Sequence, residues 1–134
     1  MTEALPRSAI EPKNPLLNAS RNSNLPHVPG IRVGDYIFLS GMGPIDPLTG
    51  ERNHGPIAEQ VRTTLSNMQH MLESAGSSLD KVVKVNVLLH SMLEAPNMNE
   101  VYARFFPDSP PARTVCGACL PDGVKVIIEC TALR

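Results

Sequence analysis

Arg113 follows Pro110-Pro111-Ala112 and precedes Thr114-Val115, at the start of a strand-like run in an otherwise apolar setting. A guanidinium keeps its charge in a protein and presents parallel donors that match a carboxylate. A half-buried arginine here needs an anion, either an Asp or Glu of the chain or a bound ligand. Two other residues could move protons. His27, beside Pro26, carries an imidazole suited to acid–base work near neutral pH, or is a surface-loop histidine. Glu129 closes Val126-Ile127-Ile128-Glu129 and shares strand parity with Ile127, roughly 7 Å along the same face. It reads equally as a structural ion-pair residue.

Cys116-Gly117-Ala118-Cys119 invites a zinc or redox reading. A single pair lacks the second ligand pair of a structural zinc site, and redox pairs of this spacing sit at helix N-termini rather than in strands. We read both as small buried apolar residues. No metal ligand set is assigned, and His54, His70 and His90 have no partner at ligand spacing.

A chain of 134 residues is one domain, with a core built from aliphatic and Met side chains because Trp is absent. Twelve Lys/Arg against thirteen Asp/Glu leave a net charge of −1 with no basic run, which argues against binding nucleic acid through phosphate neutralisation. No apolar run approaches the ~20 residues of a membrane span. Three cysteines fit a reducing compartment, so no membrane association and a cytoplasmic location are expected.

The elements that position these residues follow from periodicity. Residues 1–24 are rich in Pro, Asn and Ser and read as an arm, flexible or laid over the surface, ahead of a domain over 25–134. Val28 to Val33, a Gly34-Asp35 turn and Tyr36 to Leu39 predict a hairpin. Asp46 to Gly50 is turn chemistry, and Pro56 suits a helix start. Ile57, Val61, Leu65, Met68 and Leu72 recur at steps of three and four, which predicts a helix over about 57–75 ended by Gly76. A strand over 82–89, a helix over about 96–106 and strands near 113–120 and 124–133 complete the order β-β-α-β-α-β-β.

Two helices cover one face of a five- to six-stranded mixed sheet. Tyr36 to Leu39, Val82 to Leu89 and Val124 to Ile128 nevertheless offer apolar side chains to both faces. Leaving one face wet costs roughly 25 cal/mol per Å² of apolar surface, so a second layer must cover it.

Ser40-Gly41, Asp46-Pro47-Leu48-Thr49-Gly50-Glu51, Asn99-Glu100-Val101-Tyr102 with Phe105-Phe106, and Pro111-Ala112-Arg113 occur in a fixed order. That order resembles the Rid (YjgF/RidA) family of small enamine and imine deaminases, from roughly His27 to Ala132, about four-fifths of the chain. The resemblance implies an α+β, chorismate-mutase-like fold in a homotrimer whose central barrel buries the open sheet face, with sites in the clefts between subunits. It implies that Arg113 binds the carboxylate of a 2-imino or 2-enamino acid and that Asn99 completes the pocket. Ligand would approach the backbone at Ser40-Gly41, and Val115 would hold the reacting water through main-chain groups. Ribonuclease activity has also been attached to the family; the scattered charge argues against it here.

Two positions depart from the deaminating pattern. Ile127 stands where such members carry the glutamate that orients and deprotonates water, and His27 stands where they carry a tyrosine. Imine hydrolysis needs no metal, cofactor or covalent nucleophile, because positioning and desolvation supply most of the acceleration. The expected function is therefore cofactor-free deamination of a small imino or enamino acid. The alternatives are deamination of an aminomuconate-like catabolic intermediate, or a non-catalytic carboxylate-binding or chaperone-like trimer.

Overall fold

A computed structural model of the chain describes residues 6–21 and 23–134. Six strands form one sheet in the order β1-β2-β3-β6-β4-β5. They are β1 (Arg7–Ala9), β2 (Gly30–Val33), β3 (Tyr36–Leu39), β4 (Val82–Leu89), β5 (Ala112–Gly117) and β6 (Val126–Leu133). Helices α1 (Ile57–Ser74) and α2 (Ala95–Phe105) pack on one face of it. All neighbouring strands are antiparallel except β4 and β5, which run parallel with α2 as their crossover.

The predicted α+β class and the two helices are present, with helix boundaries within a residue of expectation. The apolar stripe of α1 faces the sheet, and Ile57, Val61, Leu65, Met68, Met71 and Leu72 are buried. Gly76 ends the helix at φ 84°, with the Ser77 N–H donating to Leu72 O (2.8 Å) and the Gly76 N–H to Glu73 O (3.0 Å). That doubly bonded left-handed cap is the one a glycine supplies without strain.

The arm departs from the sequence reading, which gave it no regular element. Residues 7–9 are the sixth strand, an edge strand on β2, and Ile10 and Leu17 are buried. The arm then crosses the end of α1, where the Asn14 N–H donates to His70 Nε2 (2.9 Å) and the Lys13 N–H to Ser74 Oγ (3.0 Å). A three-residue strand among Pro, Asn and Ser has no periodicity to announce it; its register comes from β2.

Two buried polar side chains of α1 tie down the loops. The Gln60 side-chain amide donates to Gly55 O and Gly123 O, and its carbonyl accepts from the Lys125 N–H. Asn67 donates to Ile45 O at 2.7 Å. Burying such groups is tolerable only when they are satisfied, so these bonds fix loops 43–55 and 121–125 against the helix. Among the described residues no helix is long and apolar enough to cross a membrane.

Candidate functional site

Strand register decides which side chains share a face. On β5, Arg113 lies opposite Val85 and Val115 opposite Val87 of β4, and both valines are fully buried beneath the helices. Arg113 and Val115 therefore point to the helix side, at the sheet's edge. Asn99 and Tyr102, one turn apart on α2, meet the arginine there. The Arg113 Nη1–H donates to Asn99 Oδ1 at 2.8 Å, and the guanidinium carbon lies 4.7 Å from the centre of the Tyr102 ring. The expected half-buried setting is corrected: in the single chain Arg113 is exposed. The ion-pair alternative also finds no partner, since among the described residues the pair formed is Arg104 with Glu100. A cation–π contact and an amide orient the guanidinium without neutralising it.

Tyr102 also packs against Phe106, with ring centroids 4.8 Å apart and planes tilted by 37°, and its buried hydroxyl has no hydrogen-bond partner among the described residues. Burial raises its pKa, a rise opposed by the Arg113 charge. The phenol stays neutral and the ring serves as a platform.

The second group of predicted residues lies elsewhere. His27, Ser40, Gly41 and Ile127 line a cavity of about 180 Å³ beside loop 42–45, together with Leu17 and Ala19 of the arm. Ser40 Oγ donates to Val28 O (2.6 Å), fixing the strand end. A Cβ on Gly41 would fall 2.9 Å from Ile127 Cγ2, so the isoleucine packs directly onto bare backbone. That contact gives the glycine a packing reason independent of any ligand.

Glu129 joins neither group. It lies on the open face, opposite Asn86, whose Nδ2–H donates to its Oε1 at 2.8 Å. Thr114, next to Arg113, also lies opposite Asn86. Glu129 is thus two strand spacings, about 10 Å, from that level of β5 and on the other side of the sheet from Arg113. The cysteine expectation fails as well, because Cys116 and Cys119 are exposed and Cys130 alone is buried. Cys116 lies on the edge strand β5, whose side chains have a neighbour on one side only, and Cys119 lies in the loop that follows it. Burial raises the Cys130 thiol to about 12, helped by the adjacent Glu129 charge. Among the described residues no group of three or more His, Cys, Asp or Glu side chains could hold a metal ion.

Sequence reasoning named Tyr102 as part of the Asn99-Glu100-Val101-Tyr102 motif, with no site role, and assigned none to Leu17, Ala19 or Ser20. Asn18-Ala19-Ser20 carried a usable signal, since an Asn two residues before a Ser favours a local side-chain-to-backbone turn.

The single chain thus presents a six-stranded α+β layer with an oriented guanidinium, unpaired among the described residues, at one edge. Where β3 ends and β6 begins it has a largely apolar cavity lined also by the His27 imidazole and Arg52. The chain belongs to the family described as endoribonuclease L-PSP, the YjgF/Rid family, whose model matches residues 18–134. A RutC family protein of Pyrococcus horikoshii is 43% identical over 110 residues, covering 81% of this chain and 87% of that one. The chloroplastic Reactive Intermediate Deaminase A of Arabidopsis thaliana is 34% identical over 108 residues, covering 80% and 58%. The crystal structure of the YjgF gene product of E. coli superposes with a TM-score of 0.84 at 31% identity, covering 95% and 98%. E. coli TdcF with bound serine gives 0.77 at 32% identity, covering 84% and 91%.

Proposed function

We propose that this protein hydrolyses small 2-imino or 2-enamino carboxylic acids to the 2-oxo acid and ammonia, in clefts between the subunits of a homotrimer. The observation that carries this reading is Arg113, held by Asn99 and Tyr102 with no carboxylate paired to it among the described residues. A substrate carboxylate supplies the missing anion in a two-point fork. The relative named as a deaminase and the serine-bound TdcF structure support a small amino-acid-like ligand.

The two residue groups of one chain cannot enclose one small molecule, because they lie at separate places on the sheet. Assembly answers this together with the exposed face. Tyr36 and Phe38, 48% and 45% exposed, stand on the open face beside Leu133 and beside the polar Lys84, Asn86 and Glu129. Placing this face inside a barrel removes the aromatics from water and brings Arg113 of one copy towards the His27–Ile127 cavity of the next. In that cleft Arg113 fixes the carboxylate, Asn99 holds Arg113, main chain at Val115 directs the water, and Ser40-Gly41 and Ile127 shape the pocket wall. Glu129, bonded to Asn86, is given no proton-transfer step.

The second reading is a small-carboxylate-binding trimer without catalysis. It is favoured by Ile127, which cannot move a proton. An amino-acid oxidase producing imino acids in situ separates the two. Addition of the protein should accelerate release of 2-oxo acid and ammonia over the spontaneous rate. Background rates across a range of side chains, together with saturable 2-oxobutanoate binding, would establish the binder.

A further inference from the structure

The arm that sequence reasoning set outside the domain lines the candidate cavity and meets its imidazole through one hydrogen bond. Ser20 Oγ lies 2.6 Å from His27 Nδ1. The serine is held in place by a built turn: its N–H donates to Asn18 Oδ1 (2.9 Å), and its carbonyl accepts from the Ser23 N–H (3.1 Å). The turn is anchored by Leu17, buried a few residues earlier, while Ala19 lines the cavity itself. The same cavity holds Ile127, so no carboxylate stands at that position to take a proton from water.

We propose that Ser20 is a positioning residue for His27. Its hydroxyl oxygen accepts the Nδ1–H and so leaves the Nε2 lone pair directed to the cavity as the general base that Ile127 cannot be. The partner of one ring nitrogen decides which nitrogen carries the proton, and with it whether the other can act as a base. This inference rests on the deaminase reading and adds to it the identity of the base and the residue that sets its tautomer.

The step balances without a further reactant. Water oxygen bonds to the imine carbon, Nε2 takes the water proton, and the C=N π pair passes to nitrogen. The imidazolium then returns its proton to that nitrogen, giving a neutral carbinolamine. In the second half the C–N bond breaks with formation of C=O, and Nε2 relays the hydroxyl proton to the departing ammonia. The histidine ends each turnover in its starting tautomer, which Ser20 again holds.

The test uses the full-length chain and its Ser20→Ala, Ser20→Thr and His27→Gln variants in the oxidase-coupled assay, with ring ¹⁵N shifts of His27 as an independent readout. General-base loss costs on the order of a hundredfold, so His27→Gln should lower kcat by about that factor. Ser20→Ala should lower kcat by roughly tenfold with KM within about twofold, because carboxylate binding by Arg113 is untouched. Its ¹⁵N spectrum should show loss of the Nδ1–H tautomer. Ser20→Thr, which keeps the hydroxyl, should restore both. Wild-type kcat in a folded Ser20→Ala protein overturns the inference and leaves the deaminase reading standing. Absence of imine hydrolysis by the wild type overturns both.

Discussion

The two faces of the sheet are built from the same strands and obey different rules. Under the helices, Val85, Val87, Leu89, Val126 and Ile128 are fully buried, and the neighbouring apolar stripe of α1 completes a core within one chain. On the other face Tyr36 and Phe38 stand 6.2 Å apart and exposed, next to a polar strip in which Lys84 bonds Thr114 and Asn86 bonds Glu129. The covered face is what folds a monomer. The open face mixes aromatic area with satisfied polar pairs, the composition of an interface rather than of a core or a solvated surface. Arg113 looks to the first side and Ile127 to the second, so the proposed site needs both a fold and a neighbour.

The largest effect should come from breaking that division. Phe38→Glu places a charge on the open face and is expected to convert the proposed trimer to monomers in sedimentation. Imine hydrolysis should fall to background while far-UV circular dichroism is retained. Leu65→Ala, a truncation under the helices, should do the converse. It should cost about 2–5 kcal/mol in urea unfolding, as a buried cavity does, and leave the association state unchanged. A Phe38→Glu protein that remains trimeric would remove the open face from the assembly.

Within the site, Arg113→Ala should weaken 2-oxobutanoate binding at least thirtyfold by calorimetric titration, since losing one partner of a desolvated charge pair costs on the order of 2–5 kcal/mol. Arg113→Lys should recover only part of it, because an ammonium lacks the planar fork. The melting temperature should barely move, as the arginine forms no ion pair among the described residues. Unchanged binding, or a collapse in stability, would make Arg113 structural. A smaller gain tests the opposite wall: Ile127→Glu should raise turnover of 2-iminobutanoate by about tenfold, part of the range a placed general base supplies.

Much of this was readable in the sequence, and the boundary of legibility is physical. Helix α1 was visible because its apolar residues recur at helical steps, and the glycine cap announced its end. The Pro-Ala-Arg element and the short list of site residues were visible because their chemistry is uncommon. The edge strand β1 was not, since three residues carry no period and are ordered by their partner. Exposure of Arg113 and Cys116 was misjudged for a related reason: a strand's apolar pattern does not say that it lies at the edge of a sheet, and Cys119 lies beyond the end of β5. The separation of Glu129 from Arg113 needed the strand order β6-β4-β5, which no local pattern contains.

The smallest effect concerns the cysteines, which sample both settings. Cys116 and Cys119 are exposed and should react with an aromatic disulfide reagent within the mixing time at pH 8, whereas Cys130, buried on β6 opposite Val85, should react only on unfolding. Burial raises the Cys130 thiol from its ordinary 9.0 to about 12, with the Glu129 charge adding to the effect. The folded chain therefore resists losing this proton where the unfolded chain gives it up. The stabilisation is fully present below pH 9 and is lost as the pH rises from about 9 towards 12, because only the unfolded thiol ionises in that window. The urea midpoint should be flat between pH 7 and 9 and decline above it. Tyr102, whose phenol burial also raises, acts in the same direction. Cys130→Ala should make the alkaline decline shallower, by the share of one proton, while lowering stability at pH 7 through lost packing. An identical slope in that variant would assign the alkaline loss to Tyr102 and to the net charge, and rapid labelling of three thiols at pH 8 would show that β6 opens in the native protein.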